Sequence, residues 1–313
     1  MKRRRTDYAT LPTEALHPRA SSLEGHAIEN VVALILHEEK RAQKAAYGAR
    51  HEIARAARRV AECLRAGGRL FYVGAGTSGR LGALDAAELP PTFGSRPDQV
   101  IAILAGGPRA LQRSIEGAED RADTAARRLA AHGLDGNDVV CAIAASGVTP
   151  FARAALGFAR ERGATTLFVT CAPHREHAAV ADIVIAAAVG PEVLAGSTRL
   201  KAGSATKMIL NALSTATMVA LGKVYRGRMV DVVASNDKLR DRARRIVQEL
   251  SGVDEKTARG LLKRAGGRPK LAIAMHALGI GAPEARARLD AAGDDLHRLL
   301  DGTRAVKRRP RRR

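Results

Sequence analysis

Tryptophan is absent, and Phe, Tyr and Trp together make up 3% of the 313 residues. That scarcity leaves the core to Ala, Leu, Val and Ile. It also argues against aromatic platforms for stacking a sugar ring or a base. Cysteine is sparse: Cys63, Cys141 and Cys171 are odd in number, far apart and form no CxxC. This speaks against both a disulfide framework and a zinc site. Cys141 and Cys171 lie in apolar strand-like runs and read as core thiols. No apolar run is long enough to span a bilayer. The chain begins MKRRR but turns polar at Thr6, so a signal-peptide core is lacking and cytoplasmic residence is the default expectation. Histidines are scattered. His174 and His177 sit near an apparent turn and read as solvent-facing rather than metal-binding, because no carboxylate or Cys pattern surrounds them. Nothing resembles a Ser–His–Asp arrangement in its usual motif context.

Acidic residues are also in short supply. There are 32 Asp and Glu against 52 Lys and Arg, a net charge of +20. Lys2 to Arg5 contribute four positive charges and Arg304 to Arg313 contribute seven, so without these eleven the body carries +9. Residues 303–313 therefore read as a solvated, disordered tail. The body's own excess suits an anionic substrate, and specific nucleic-acid recognition is not expected.

What is abundant is a regular alternation. Hydrophobic residues make up 46% of the chain, enough for a large core. Residues 1–20 look irregular and basic. From Ser22 to about Ala66 apolar positions recur every three to four residues, which predicts helix, ended by Gly67-Gly68. Short apolar runs then alternate with helical patterns. Candidate strands are Leu70–Gly74, Val100–Leu104, Val139–Ala144, Thr166–Thr170 and Ile183–Ala187. Helices are expected at about Glu116–His132, Pro150–Arg162 and Gly203–Leu221. This order predicts an α/β fold with a parallel sheet buried on both faces. Residues 251–302 read as short helices broken by Gly266-Gly267 and Gly279–Pro283, a small C-terminal helical domain. The catalytic domain is thus expected over residues 21–250, N-terminal helices included.

The most informative stretch runs from Phe71 to Gly94, FYVGAGTSGRLGALDAAELPPTFG. A strand feeds a loop containing Gly74, Gly76, Thr77, Ser78 and Gly79, and a helix-compatible segment follows to a stop at Pro90-Pro91. A Gly-rich turn between a strand and a helix gathers backbone N–H groups around an anion, and the two hydroxyls suit phosphate. A second Ser-rich loop, Ser146–Thr149, also follows a candidate strand. Ligands of such sheets sit outside the carboxyl ends of the strands, so both loops can face one crevice. Glu88 and Glu119 are carboxylates near these segments.

The Phe71–Gly94 segment resembles the signature of N-acetylmuramic acid 6-phosphate etherases, members of the sugar isomerase (SIS) fold group. Four further blocks resemble that family in order and spacing: Ser114–Arg121, Ala144–Phe151, Glu192–Lys207 and Met229–Leu239. Together they cover the chain from about Pro12 to about Leu300. The resemblance implies a three-layer SIS domain and cleavage of a D-lactyl ether from carbon 3 of a sugar phosphate, by elimination and then hydration. Such a reaction needs two proton-transfer groups and no metal or other cofactor. Glu88 matches the family's acid–base glutamate, with the implied role of protonating departing lactate and then deprotonating water. Glu119 matches the glutamate implied to remove the carbon 2 proton. Gly76, Thr77, Ser78, Gly79, Ser146, Gly147 and Thr149 are implied to bind phosphate. Ser197, Thr198 and Lys201 are expected to complete the pocket or hold the lactyl carboxylate. Asn236 lies in a matching block but also reads as a turn residue. A homodimer is implied.

Departures are visible. Val148 stands where the family often has Arg, and Thr206 replaces a usual Gln. Ala172-Pro173-His174 departs from the commoner Asn-Pro pair. Near the N-terminus only the outline remains, Thr13-Glu14 and then Pro18. Two other readings compete: a sugar-phosphate-binding regulator on the same fold, which needs the loops but not the carboxylates, and a phosphosugar isomerase, which would release no lactate.

Overall fold

The computed structural model describes residues 8–20, 22–173, 177 and 179–302. The expectations for residues 1–7, the 303–313 tail and His174 fall outside them.

The five apolar runs form one sheet. Its strands are β1 (Leu70–Gly74), β2 (Val100–Leu104), β3 (Val139–Ile143), β4 (Thr165–Thr170) and β5 (Ile183–Ala186), in the order β2-β1-β3-β4-β5. All pair in parallel, with Leu70 beside Val100 on one side and Val139 on the other. β1 and β3 are buried along their whole length, which is why they read as unbroken apolar runs.

The helices are α1 (Ile28–Gly48), α2 (Arg50–Arg65), α3 (Gly76–Phe93), α4 (Ala122–Ala131), α5 (Pro150–Glu161) and α6 (Lys201–Ala220). Side chains alternate across the sheet. Phe71, Val73 and Val140 pack against Leu129 of α4 and Phe151 and Ala155 of α5. Tyr72 points to the other face, where its ring lies against Gly82 of α3. Its hydroxyl donates to Asp85 Oδ2 at 3.0 Å. Asp85 also accepts from Asn211 Nδ2 at 2.9 Å and Ser214 Oγ at 3.0 Å, both on α6. One buried carboxylate thus joins β1, α3 and α6. Burial pushes its pKa up, against the pull of the three hydrogen bonds. Cys63, Cys141 and Cys171 are free and buried, and burial raises the Cys63 thiol to about 11.

Two details differ from the sequence expectation. α3 runs through Pro90 and Pro91 to Phe93 instead of stopping there. Proline's φ suits a helix; its cost is the missing N–H and a clash with the carbonyl four residues back. Here that cost falls in the last turns, before Gly94 ends the helix with φ 63°. The segment expected to be helical from Glu116 begins instead as a short 3₁₀ turn, Ala118–Asp120, and α4 starts only at Ala122. Gly117 sits at φ 66°, a left-handed conformation that interrupts an α-helix.

The chain divides into two compact units: residues up to 87 with 97–217, and residues 88–96 with 218 onward. The second contains β6 (Val224–Tyr225), β7 (Arg228–Met229), α7 (Asp237–Ser251), α8 (Glu255–Arg264), α9 (Pro269–Leu278), α10 (Ala282–Ala291) and α11 (Leu296–Leu300). β6 and β7 form an antiparallel ribbon that the sequence reading did not anticipate. Its turn places Arg226 and Gly227 both at positive φ, as a type I′ hairpin turn requires. Val230, Ile246, Val247, Leu261, Ile273 and Leu289 are among the residues of its core. Asn236 caps α7 by accepting the Leu239 N–H at 2.9 Å.

Asp85→Ala leaves three donors without their buried acceptor. It is expected to lower stability by about 3 kcal/mol, seen as a fall in the urea midpoint at unchanged slope. A loss below about 1 kcal/mol would mean that these donors find other acceptors.

Candidate active site

The site begins where β1 meets α3. A Cβ on Gly79 would lie 2.1 Å from Leu104 Cδ1 and 2.5 Å from the Gly74 carbonyl oxygen. Only glycine lets the helix start this close to the strand. Gly76, Thr77 and Ser78 therefore form the first turn of α3, whose N–H groups lack intrahelical acceptors. β3, the neighbouring strand, delivers the second loop in the same way, and α5 begins at Pro150. Thr149 precedes α5 but makes no side-chain capping bond, so its hydroxyl is not used up by the helix.

These parts meet in a cleft of about 250 Å³, lined by Gly76, Thr77, Ser78, Ser146 and Thr149. Thr198 lines it as well, from the loop before α6. Two helix N-termini thus open into one cavity, the arrangement that favours a bound anion. Glu119 and Asp120 form part of the wall. Glu119 is an exposed residue overall. Even so, partial removal of water around its carboxyl pushes the pKa above the ordinary value, and Asp120 and Glu116 add to the shift. A carboxyl so placed accepts a proton more readily than an ordinary one.

Several expected residues lie elsewhere. Gly79 is buried and acts through its packing. Gly147, also buried, holds the second loop from behind at φ 80°. Its carbonyl accepts from Arg153 Nε at 2.8 Å, and a Cβ there would lie 2.2 Å from His177 Nε2. His177 is only 2% exposed, has Nδ1 3.1 Å from Arg153 Nη2, and sits edge-on to Phe168. The expectation that it faces solvent is therefore corrected: it packs under the second Ser-rich loop. Ser197 is not among the residues lining the cleft, although its neighbours Gly196 and Thr198 are.

Lys201 is buried as well. Its ammonium does not reach the cleft but is buried, 1% exposed, with Nζ 2.7 Å from Glu38 Oε2. His17 Nε2 and Arg41 Nε stand 3.2 and 3.3 Å from the same carboxylate. A buried ammonium needs such a partner, and the carboxylate on α1 offers it. Glu192 caps α6 beside it, accepting the N–H groups of Lys201 and Ala202.

Glu88 is exposed and is not among the residues lining the cleft. It lies on α3, roughly 15 Å along the axis from Ser78 at the helical rise per residue.

The chain is 47% identical over 291 residues to the N-acetylmuramic acid 6-phosphate etherase of a Synechocystis species, covering 93% of this chain and 95% of that one. The etherase of Gloeobacter violaceus is 48% identical, with 96% and 98% covered, and that of Mycolicibacterium smegmatis 47% identical, with 94% and 99% covered. The chain belongs to the N-acetylmuramic acid 6-phosphate etherase family. Residues 52–160 also match the family model described as the glucokinase regulatory protein N-terminal SIS domain. A phosphoheptose isomerase from Francisella tularensis aligns with a TM-score of 0.49 at 19% identity, covering 62% of this chain and 99% of that one.

Within this etherase family member, the departures fall in different settings. Val148 lines the cleft, where it supplies no charge. Thr206 is buried and donates to the Ala202 carbonyl at 2.9 Å, inside α6. The sequence reading missed Leu11, Thr13 and Glu14, which also line the cleft. The signal was present in the Thr-Glu pair, but a single chain gave no reason to assign it a role.

Burial alone would raise the Glu38 pKa; Lys201, Arg41 and His17 outweigh it and hold the carboxyl below its ordinary 4.5. The pair's stabilisation is thus full above that value and is lost as pH falls through the lower, folded-state one. Lys201→Met is expected to destabilise by about 3–5 kcal/mol near pH 7, with the deficit shrinking below about pH 4 as Glu38 is protonated. Urea unfolding at both pH values checks this, and a deficit independent of pH would contradict it.

Proposed function

We propose that this protein cleaves the D-lactyl ether of N-acetylmuramic acid 6-phosphate to N-acetylglucosamine 6-phosphate and D-lactate. The observation that carries this reading is the identity of nearly half, over almost the whole chain, to proteins bearing that etherase name. The cleft fits the chemistry. In the open-chain sugar the carbon 2 proton is acidified by the carbon 1 aldehyde. Phosphate rests on the first turn of α3 and on Ser146 and Thr149. Glu119, with its raised pKa, removes the carbon 2 proton. Glu88 protonates the departing lactyl oxygen and then deprotonates the water that adds at carbon 3, while Glu119 returns its proton to carbon 2.

We assign Glu88 to the neighbouring subunit of a homodimer. Phosphorus and carbon 3 are five bonds apart, less than about 8 Å, whereas Ser78 and Glu88 are separated by roughly 15 Å along α3. Near the middle of that interval Leu84 is 54% exposed, an apolar side chain available to a partner. If two α3 helices pack antiparallel about a dyad at residues 83–84, residue 88 of one faces residues 78–80 of the other. α1 offers a second apolar stripe for such an interface, with Ile28, Val32 and Leu36 exposed at four-residue spacing. Among the described residues no helix is long and apolar enough to cross a membrane, and cytoplasmic action is part of the proposal.

The match to the glucokinase regulatory protein's SIS domain favours a second reading, a sugar-phosphate-binding module. Substrate and D₂O separate the two. The wild type is expected to release D-lactate. Glu88→Gln should exchange the carbon 2 proton with solvent while releasing lactate about 10²–10⁴-fold more slowly. Glu119→Gln should do neither. Substrate binding without lactate release by the wild type would support the module instead.

A further inference from the structure

The N-terminal segment makes a strap across the cleft. Leu11 and Thr13 are 8% and 2% exposed. The Thr13 carbonyl accepts the Gly196 N–H at 2.9 Å, and the Leu11 carbonyl accepts the Glu14 N–H at 2.9 Å. Further along, His17 is 3% exposed and anchors the strap to α1. Its Nδ1 accepts the Arg19 N–H at 3.2 Å, and its Nε2 lies 3.2 Å from Glu38 Oε2. Glu14 stands between the two anchors. Its carboxylate lies over Gly196, where a Cβ would be 2.9 Å from Oε2. Gly196, at φ 76°, leaves that space open.

The charge of the cleft makes this placement informative. Among the described residues its lining includes three carboxylates, Glu14, Glu119 and Asp120, and neither Lys nor Arg. Glu119 has a proton-transfer role in the proposed reaction, whereas Glu14 has none. A carboxylate in a phosphate cleft repels the anion unless another part of the ligand donates hydrogen bonds to it. The open-chain sugar has such donors, the hydroxyls of carbons 4 and 5, between the phosphate and the reacting carbons.

We infer that Glu14 is a specificity-determining residue that accepts hydrogen bonds from the sugar hydroxyls adjoining the phosphate. Its charge penalises bare anions, and only a phosphate carried on a hydroxylated chain recovers the loss. The inference rests on the cleft being the sugar-phosphate site.

The test compares two ligands on the full-length wild type, Glu14→Gln and Glu14→Ala by calorimetry: inorganic phosphate and N-acetylglucosamine 6-phosphate. Removing the charge is expected to tighten inorganic phosphate about threefold or more, by relief of like-charge repulsion. The same change should weaken the sugar phosphate about tenfold, by loss of charge-assisted hydrogen bonds. The two ligands therefore move in opposite directions. A strap that merely holds the cleft in shape would weaken both, and that outcome overturns the inference, as does no change in either. Failure of the wild type to bind the sugar phosphate would instead remove the cleft reading itself.

Discussion

Two backbones meet at Gly74 and Gly79 without room for a side chain between them, and the rest of the site follows from that contact. It brings the first turn of α3 directly onto the carboxyl end of β1. The residues of that turn, whose N–H groups lack intrahelical acceptors, then line the cleft at the positive end of the helix dipole. β3 repeats the arrangement one strand away, so a second helix N-terminus converges on the same space. The same contact fixes the direction of α3, which carries Glu88 away from its own loop. Asp85 locks that direction through Tyr72, Asn211 and Ser214.

The electrostatics of the cleft have two sides. Hydroxyls, backbone N–H groups and helix ends favour an anion there, and among the described residues no cationic side chain lines the cleft. Carboxylates on the same wall oppose it. The positive excess of the chain, +20, raises the local concentration of anions but does not distinguish among them. In the proposed mechanism selectivity comes from Glu14 and catalysis from Glu119 and Glu88, so carboxylates placed against a phosphate are put to use. The buried Glu38 serves neither purpose and instead holds Lys201, Arg41 and the strap's His17 together.

The sheet was legible because its strands are buried on both faces, which leaves unbroken apolar runs such as Leu70–Gly74 and Val139–Ile143. The two loops that line the cleft were legible because glycine and hydroxyl residues directly follow those runs. Other features depend on packing that the sequence does not encode locally. Pro90 and Pro91 read as a stop, yet proline's φ is helical and α3 continues through both to Phe93, with the missing N–H groups falling in its last turns. Lys201 matched a binding block, but its partner Glu38 lies 163 residues earlier in the chain. His177 gave no periodic signal, and its burial comes from Phe168, Arg153 and Gly147. Glu14 sits in an irregular segment, where neither a helical nor a strand pattern marks the side facing the cleft.

The central claim is that one active site takes Glu119 from one subunit and Glu88 from the other. Glu88→Gln and Glu119→Gln chains, each inactive alone, can be co-expressed with separate tags and lactate release measured on the mixed population. If the site is shared, each mixed dimer contains one intact site and one doubly altered site. Random pairing then restores about a quarter of wild-type activity. If both carboxylates serve their own chain, the mixed dimers stay as inactive as the parents, and the claim is contradicted.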